Sequence, residues 1–191
     1  MLLKSIFISV FLLSTAAMAA TPLIVSPNAK VSMLMAIDYQ CPYSKQVIDY
    51  LPQLQAKYGA QLEVSVSHNP LTFHPQGMPA AVAAECAYLQ GKFTEFTFAA
   101  YANQAALGND FYIQTAQSVG VPDMPSFQNC MANQISKVFI DSDLVANKAL
   151  GVTGTPFIFI NGKLLKGAYP YASYTQAIDA ALKANPAFKN K

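Results

Sequence analysis

The sequence predicts an α/β fold in which strands from both ends of the chain form one sheet around an inserted block of helices. Apolar and alternating runs at 31–38 and 61–67 flank an amphipathic stretch at 45–58, which is typical of a strand–helix–strand unit with parallel strands. Residues 80–150 have helical spacing and no convincing strand. Two strands joined by an Asn-Gly turn, and then a helix, follow within 157–184. Neither outer part is large enough to bury a core alone, so we expect one domain.

The first residues are typical of a secretory signal peptide. A short positive start that ends at Lys4 precedes an apolar run at 5–13 and a small-residue cleavage site at 17–19. We therefore expect a signal peptide at 1–19, with cleavage before Ala20. The alternative is an uncleaved anchor, but the apolar run is too short to span a bilayer comfortably. The mature chain is then expected in an oxidising compartment, the periplasm, without a transmembrane segment.

Composition narrows the classes of partner. The net charge is +2, and all 12 basic residues are lysines. A chain without arginine offers no guanidinium forks to phosphate groups, and it has no basic patch, so we expect no nucleic-acid partner. The two histidines, His68 and His74, lie in a segment rich in proline and lack a recognised metal-ligand spacing. We expect them to be surface or turn residues and predict no metal site.

The N-terminal elements follow from apolar spacing and from the positions of proline. Residues 22–25 are consistent with a short edge strand, and residues 31–38 form the first central strand. The predicted helix at 45–58 follows Pro42 in the sequence. Pro52 lies inside this helix and is expected to kink or interrupt it.

Glycines mark the ends of most of the remaining predicted elements. After a loop at 68–79, helices are predicted at 80–90, 92–107, 111–119, and, as one or two helices, at 126–135 and 137–150. Strands at 157–160 and 163–166 and a helix at 174–184 complete the chain. We therefore divide the mature chain into an N-terminal sheet part at 20–75, a helical insertion at 76–150 and a C-terminal sheet part at 151–191.

Cys41 falls where the first central strand gives way to a helix. Pro42 fits the first helical position, because it has no N–H to lose there. Cys41 then occupies the N-cap and faces free backbone N–H groups at the positive end of the helix dipole. Both features favour a thiolate over a thiol. This is the position of the first cysteine of a Cys-x-x-Cys redox motif, and Ser44 stands where the second would be.

Three short motifs in a fixed order carry a resemblance to a known family. Residues 41–43 (Cys-Pro-Tyr) lie at the strand-to-helix turn, and residues 151–156 (Gly-Val-Thr-Gly-Thr-Pro) precede a strand. Between them, residues 84–87 read Ala-Glu-Cys-Ala and residues 90–93 read Gln-Gly-Lys-Phe. Over about residues 31–182 the chain resembles the thioredoxin fold, and within it the secreted DsbA-like thiol–disulfide oxidoreductases. The resemblance implies a thioredoxin fold, ordered βαβ and then ββα, with a helical insertion.

The resemblance also implies roles for individual residues. Cys41 is the nucleophile. The Thr155–Pro156 peptide bond is expected to be cis and to lie beside Cys41. These two residues are expected to present backbone groups to an extended substrate peptide. Pro42 and Tyr43 are expected on the same substrate-binding surface. Aromatic and apolar residues could surround the groove as a patch for unfolded chains: Tyr39, Tyr43, Phe73 and Met78.

Ser44 departs from the family pattern, because the usual oxidase has a resolving cysteine there. Cys41 and Ser44 cannot store oxidising equivalents as an internal disulfide. We therefore expect monothiol exchange on secreted proteins, with a mixed disulfide at Cys41 that an external thiol resolves. That thiol is glutathione, as a co-substrate, or a thiol of the substrate; no other cofactor is expected. The Ser44 hydroxyl could still donate a hydrogen bond to the Cys41 sulfur and so help to stabilise the thiolate. The alternative is a redox-inactive scaffold that binds peptides or acts as a chaperone-like accessory protein.

The mature chain has three cysteines, and an odd count leaves one thiol over. We favour a structural disulfide between Cys86 and Cys130, which leaves Cys41 free. A second redox pair and a resolving thiol for Cys41 are the alternatives. Cys41 could also link two copies, which makes a homodimer a further expectation. Glu85 is expected on a solvated helix face, with a buried carboxylate that tunes Cys41 as the alternative.

Overall fold

The computed structural model describes residues 20–184, so the predicted signal peptide at 1–19 lies outside the described residues. The strands are β1 (Thr21–Ile24), β2 (Val31–Ile37), β3 (Leu62–His68), β4 (Phe157–Ile160) and β5 (Lys163–Lys166). The helices are α1 (Pro42–Ile48), α2 (Leu51–Tyr58), α3 (Gly77–Tyr88), α4 (Phe93–Ala102), α5 (Asn109–Ser118), α6 (Met124–Ala132), α7 (Lys137–Ala149) and α8 (Tyr171–Ala184). Between residues 20 and 184, no helix is both long enough and apolar enough to cross a bilayer.

The five strands form one sheet in the order β1-β3-β2-β4-β5, which confirms the predicted α/β fold. β2 and β3 are parallel, as the strand–helix–strand unit requires. The pairs β1–β3, β2–β4 and β4–β5 are antiparallel. The strands of the C-terminal part therefore extend the sheet that the N-terminal part begins, and helices α3 to α7 lie between them in sequence.

The two faces of the sheet bury different clusters. Met33 and Met35 of β2 lie in the main core, which helices from both parts of the chain cover. On the other face, Ala36 packs with Phe157 and Phe159 in a smaller cluster. Alternation along β2 separates the two sets, because successive side chains of a strand point to opposite faces.

Helix α7 lies against the face with the smaller cluster. Ser67 of β3 pairs with Ala36 in the parallel register, so the two side chains share that face. The Ser67 hydroxyl donates to the Asn147 side-chain oxygen of α7 at 2.8 Å. Helix α8 is tied to α2 instead, because the Tyr58 hydroxyl donates to the carbonyl oxygen of Thr175 at 3.1 Å.

Several element boundaries differ from the predictions. The predicted interruption at Pro52 is confirmed, since the chain forms α1 and α2 rather than one helix. Helix α3 begins at Gly77, three residues early, because Pro79 falls in the first turn, where its missing N–H costs no helical hydrogen bond. Helix α4 ends at Ala102, and a 3-10 turn, Gln104–Ala106, occupies the rest of that predicted helix.

A disulfide between Cys86 of α3 and Cys130 of α6 cross-links the helical insertion over a sequence separation of 44 residues. Both cysteines are buried. Within residues 20–184 the remaining cysteine, Cys41, is a free thiol.

Removing the disulfide should destabilise the protein. Closing a loop of this length restricts the unfolded chain, so the double change Cys86→Ala and Cys130→Ala should lower the free energy of unfolding by roughly 2–4 kcal/mol. Urea denaturation of the variant and the wild type would measure the difference. Cys41→Ala is the matched control and should leave the urea midpoint within a few tenths of a molar of the wild type. An unchanged midpoint for the double variant would contradict a structural role for the disulfide.

Candidate functional site

Cys41 lies at the N-cap of α1, as its position before Pro42 predicts. Its backbone is extended, with φ −76° and ψ 119°, and Pro42 occupies the first turn of the helix. The Cys41 side chain makes no capping hydrogen bond. Only 4% of the residue is exposed. The thiol therefore lies just beneath the surface, at the end of the helix where backbone N–H groups are free.

The sheet register brings the Thr155–Pro156 segment next to this thiol. The Thr155–Pro156 peptide bond is cis. β4 begins at the next residue, and Phe157 pairs with Ala36 near the end of β2. The end of β2 leads into Cys41, so the two segments meet at one edge of the sheet. The Cys41 thiol donates to the Thr155 carbonyl oxygen at 3.4 Å.

Ser44 is fully buried, and its hydroxyl does not donate a hydrogen bond to the Cys41 sulfur. Its hydroxyl oxygen accepts a hydrogen bond from the Asp38 backbone N–H at 3.4 Å. Burial raises the pKa of the nearby Tyr101 well above its ordinary value. The Ser44 hydroxyl is thus engaged by the Asp38 N–H. The hydrogen bond predicted between Ser44 and the Cys41 sulfur is not made among the described residues.

The Asp38 carboxylate organises the loops around the site, although it is almost fully buried. It accepts hydrogen bonds from the backbone N–H groups of Gln40 at 2.6 Å and Leu71 at 2.7 Å. His74 Nδ1 lies 2.9 Å from the same carboxylate. Gly77 passes so close that an added Cβ would lie 2.9 Å from a carboxylate oxygen. The absence of a side chain at Gly77 therefore lets α3 begin beside Asp38.

The helical insertion also fixes the backbone of the Cys41 turn. Gln104 Nε2 donates to the carbonyl oxygens of Tyr39 at 2.7 Å and Cys41 at 2.9 Å. The Tyr101 hydroxyl donates to the Asp38 carbonyl oxygen at 3.0 Å. Sequence reasoning missed Asp38, Tyr101 and Gln104, because nothing in their local patterns indicates partners that lie about 60 residues away.

The predicted apolar surface around Cys41 is only partly present. Tyr43 and Phe73 are exposed, at 63% and 73%. Met78 is partly buried against the core. Tyr39 is buried, and its ring stacks on Tyr101 with centroids 5.0 Å apart, so the prediction that it lines a groove is wrong.

A second group of polar side chains is buried between the sheet and the insertion. His68 and Glu85 are both fully buried, with His68 Nε2 2.7 Å from Glu85 Oε1. The predictions of a surface His68 and a solvated Glu85 are therefore wrong. Thr21 Oγ1 also donates to Glu85 Oε1, at 2.5 Å. The His68 ring stacks on Tyr39, with centroids 5.9 Å apart, so this cluster packs behind the Cys41 turn.

Asp143 of α7 completes the buried cluster. Its carboxylate accepts a hydrogen bond from the His68 backbone N–H at 2.6 Å. Burial raises the pKa of Asp143 to about 6, although His68 opposes the shift. One oxygen of Asp143 has no partner, and neither has one oxygen of Glu85 nor His68 Nδ1. Within residues 20–184, no group of three or more histidine, cysteine or acidic side chains is placed to hold a metal ion.

Comparisons with known proteins agree with the fold. A family model described as Thioredoxin matches residues 18–180. The oxidised structure of BdbD from Bacillus subtilis superposes with a TM-score of 0.76 at 20% identity and covers 86% of this chain and 94% of that chain. The thiol-disulfide exchange protein alpha-DsbA2 from Wolbachia pipientis gives a TM-score of 0.75 at 20% identity, covering 86% and 88%. A periplasmic thioredoxin-like protein from Salmonella enterica serovar Typhimurium gives 0.72 at 22% identity, covering 88% and 93%.

Among curated proteins, the chain resembles one part of longer sequences. It is 30% identical over 157 residues to the Na(+)/H(+) antiporter NhaA 1 of Mycolicibacterium gilvum, covering 81% of this chain and 25% of that protein. The match to NhaA of Herminiimonas arsenicoxydans is 28% identical over 154 residues, covering 81% and 24%. The chain thus spans about a quarter of the length of these relatives.

Asp143 should make the stability of the protein depend on pH. Its pKa is higher in the folded protein, about 6, than its ordinary value of 3.8, so folding favours the protonated acid. This stabilisation is complete below pH 3.8 and is lost as the pH rises through about 6. Asp143→Asn keeps an oxygen for the His68 N–H and carries no charge. The quantity to compare is the free energy of unfolding of Asp143→Asn minus that of the wild type. This difference should rise by on the order of 2–3 kcal/mol between pH 4 and pH 8.

Chemical denaturation at a series of pH values would measure this difference. Asp141→Asn is the matched control, because Asp141 lies on the same helix with a half-exposed side chain. Its difference from the wild type should stay nearly constant over the same range. A constant difference for Asp143→Asn as well would contradict the assignment.

Proposed function

Because the chain belongs to the thioredoxin family, we propose that it catalyses monothiol thiol–disulfide exchange on disulfide-bearing or unfolded secreted proteins. One arrangement carries the proposal. A single free cysteine lies at the N-terminus of α1, beside the cis Thr155–Pro156 bond, with a serine three residues later. The periplasmic location that we propose is supported by the signal-like N-terminus and by the Cys86–Cys130 disulfide, which forms in oxidising compartments.

The first step of the proposed reaction is attack by the Cys41 thiolate on one sulfur of a substrate disulfide. A new S–S bond forms to Cys41 Sγ as the substrate S–S bond breaks, and the other substrate sulfur leaves as a thiolate. The free N–H groups at the start of α1 stabilise negative charge on Cys41, both before the attack and when Cys41 is released. In the free protein the Cys41 thiol donates a hydrogen bond to the Thr155 carbonyl oxygen; the thiol releases this proton to solvent before it attacks, and the hydrogen bond is then lost.

The second step needs a thiol from outside the Cys41 turn. Ser44 has no sulfur, and its hydroxyl is held by the Asp38 N–H, so the turn contains no resolving group. A second thiolate of the substrate, or glutathione as a co-substrate, attacks the mixed disulfide and returns Cys41 to the thiolate. A substrate thiol yields a rearranged disulfide, and glutathione yields a glutathionylated substrate. Neither route changes the oxidation state of the enzyme, so we propose isomerisation or glutathione-linked exchange rather than disulfide donation.

The proposed substrate site combines backbone groups with exposed aromatic rings. The Pro156 carbonyl is already bonded to the Gly167 N–H at 2.9 Å, so Thr155 is the residue better placed to offer backbone groups to a peptide. Pro42 and Tyr43 are exposed next to the thiol, and Phe73 adds a second exposed ring. Exposed aromatic side chains suit an unfolded polypeptide, because they bind apolar segments with little sequence preference.

One observation favours a second candidate function. Cys41 is only 4% exposed, whereas Tyr43 and Phe73 are largely exposed. A redox-inactive accessory protein that binds peptides or acts as a chaperone would use these rings and not the thiol. The two candidates differ in whether Cys41 exchanges with disulfides, which trapping can decide.

Cys41 should form covalent complexes with disulfide-bearing proteins. When the purified protein, reduced at Cys41, is mixed with a secreted protein that has scrambled disulfides, acid quenching should trap a mixed disulfide. The adduct should dissociate on reduction, and mass spectrometry should place the bond at Cys41. Cys41→Ala should abolish the adduct, whereas Tyr43→Ala should retain it at a lower yield. A Cys41 that forms no adduct while the protein still suppresses aggregation would favour the accessory function.

Replacing Ser44 with cysteine should convert the monothiol site into a dithiol site. In Ser44→Cys, the new thiol can attack the mixed disulfide at Cys41, because residues 41 and 44 share the first turn of α1. The adduct should become at least about tenfold shorter-lived, and the oxidised variant should oxidise a dithiol peptide that the wild type leaves reduced. Ser44→Ala is the matched control and should remain monothiol. If Ser44→Cys and the wild type oxidised the peptide equally, the monothiol proposal would be wrong.

A further inference from the structure

Helix α7 has an unusual distribution of side chains. Its buried face carries the apolar residue Ile140 and also the polar residues Asp143 and Asn147, which bond to β3. Its opposite face exposes two valines, Val138 at 63% and Val145 at 72%. A surface helix normally turns its apolar stripe inward. The valines of α7 therefore form an apolar stripe with no partner among the described residues.

The exposed stripe has coiled-coil spacing. Val138, Ser142, Val145 and Ala149 are separated by four, three and four residues, which places them along one line of the helix. All four are exposed, and all are small enough for a second helix to approach closely. We call these four residues the α7 seam.

We propose that the α7 seam binds the α7 seam of a second copy of this chain, with the two helices antiparallel. The charges beside the seam favour this occupant. Asp141 and Lys148 flank the seam on the same side, each one residue before a seam position. In an antiparallel pair these flanking positions face each other, so each Asp141 lies opposite Lys148 of the partner subunit. Two complementary ion pairs form, related by the twofold axis.

A parallel arrangement lacks this complementarity. It would place Asp141 opposite Ala146 of the partner subunit. Lys148 would then lie opposite residues that follow the end of the partner's helix, so neither charge would meet an opposite charge. In the single chain, Lys137 binds Asp141 at 2.5 Å on the same helix. In the antiparallel dimer each Asp141 would lie between two lysines, one from each copy. The seam on a helix of 13 residues is short, so the dimer should be reversible rather than obligate.

Analytical ultracentrifugation over a range of protein concentrations tests association. The wild type should shift from monomer towards dimer as the concentration rises, and Cys41→Ala should shift equally, since no disulfide is needed. Val145→Glu should weaken association by at least about tenfold, because it buries an unpaired charge in the seam. Val25→Glu is the matched control, since Val25 is 77% exposed outside α7. A wild type that stays monomeric throughout, or equal association of Val25→Glu and Val145→Glu, would overturn the proposal.

Two further sets of variants test the direction of the helices. Lys148→Asp and Asp141→Lys should each weaken the dimer, and the combined variant should recover most of the association, because its charges are again complementary. In a Cys41→Ala background, Val138→Cys mixed with Ala149→Cys should form a disulfide between the two variants more readily than either forms one with itself. Preferential cross-linking of Val138→Cys with itself, or a combined charge variant weaker than either single variant, would overturn the antiparallel arrangement.

Discussion

The buried Asp38 carboxylate is the interaction on which the candidate site depends. It joins three segments that are distant in sequence: the Cys41 turn through Gln40, the loop after β3 through Leu71 and His74, and the start of α3 through the close approach of Gly77. The Asp38 backbone also contributes, because its carbonyl accepts from the Cys41 N–H at 3.1 Å. A buried carboxylate is stable only when donors surround it. The loops that provide these donors are thereby fixed around the thiol.

Ser44 is part of this same network. A serine at this position removes the second sulfur of a dithiol motif, but its hydroxyl accepts a hydrogen bond from the Asp38 N–H. A thiol is a weaker acceptor than a hydroxyl, so the serine suits this buried position. The turn therefore combines one free thiol, Cys41, with packing and hydrogen bonds that hold the backbone around it. This arrangement supports the proposed exchange, in which the second thiol comes from a substrate or from a small molecule.

Short-range patterns were enough to predict the sheet and the Cys41 turn. The Cys-Pro step at a strand end placed Cys41 at the N-cap, and the Asn161-Gly162 turn correctly joined β4 to β5. The buried polar groups could not be predicted in this way. His68 and Glu85 have the side chains of surface residues, yet they are buried as a pair across the sheet–insertion boundary, with His68 Nε2 2.7 Å from Glu85 Oε1. Gln104 reaches the Cys41 carbonyl over a separation of 63 residues, which no local pattern encodes.

The polar cluster and the α7 seam have a common origin. Helix α7 supplies Asp143 and Asn147 to the C-terminal end of β3, where they bind the His68 N–H, the His68 carbonyl and the Ser67 hydroxyl. Ile140 shares this inner face with them, and the 3.6-residue period places Val138 and Val145 on the opposite face. Val138 and Val145 are therefore exposed to water, and a second apolar surface that covered them would contribute favourable free energy. The polar contacts that anchor α7 to the sheet thus orient the α7 seam outward, where the proposed second copy would bind.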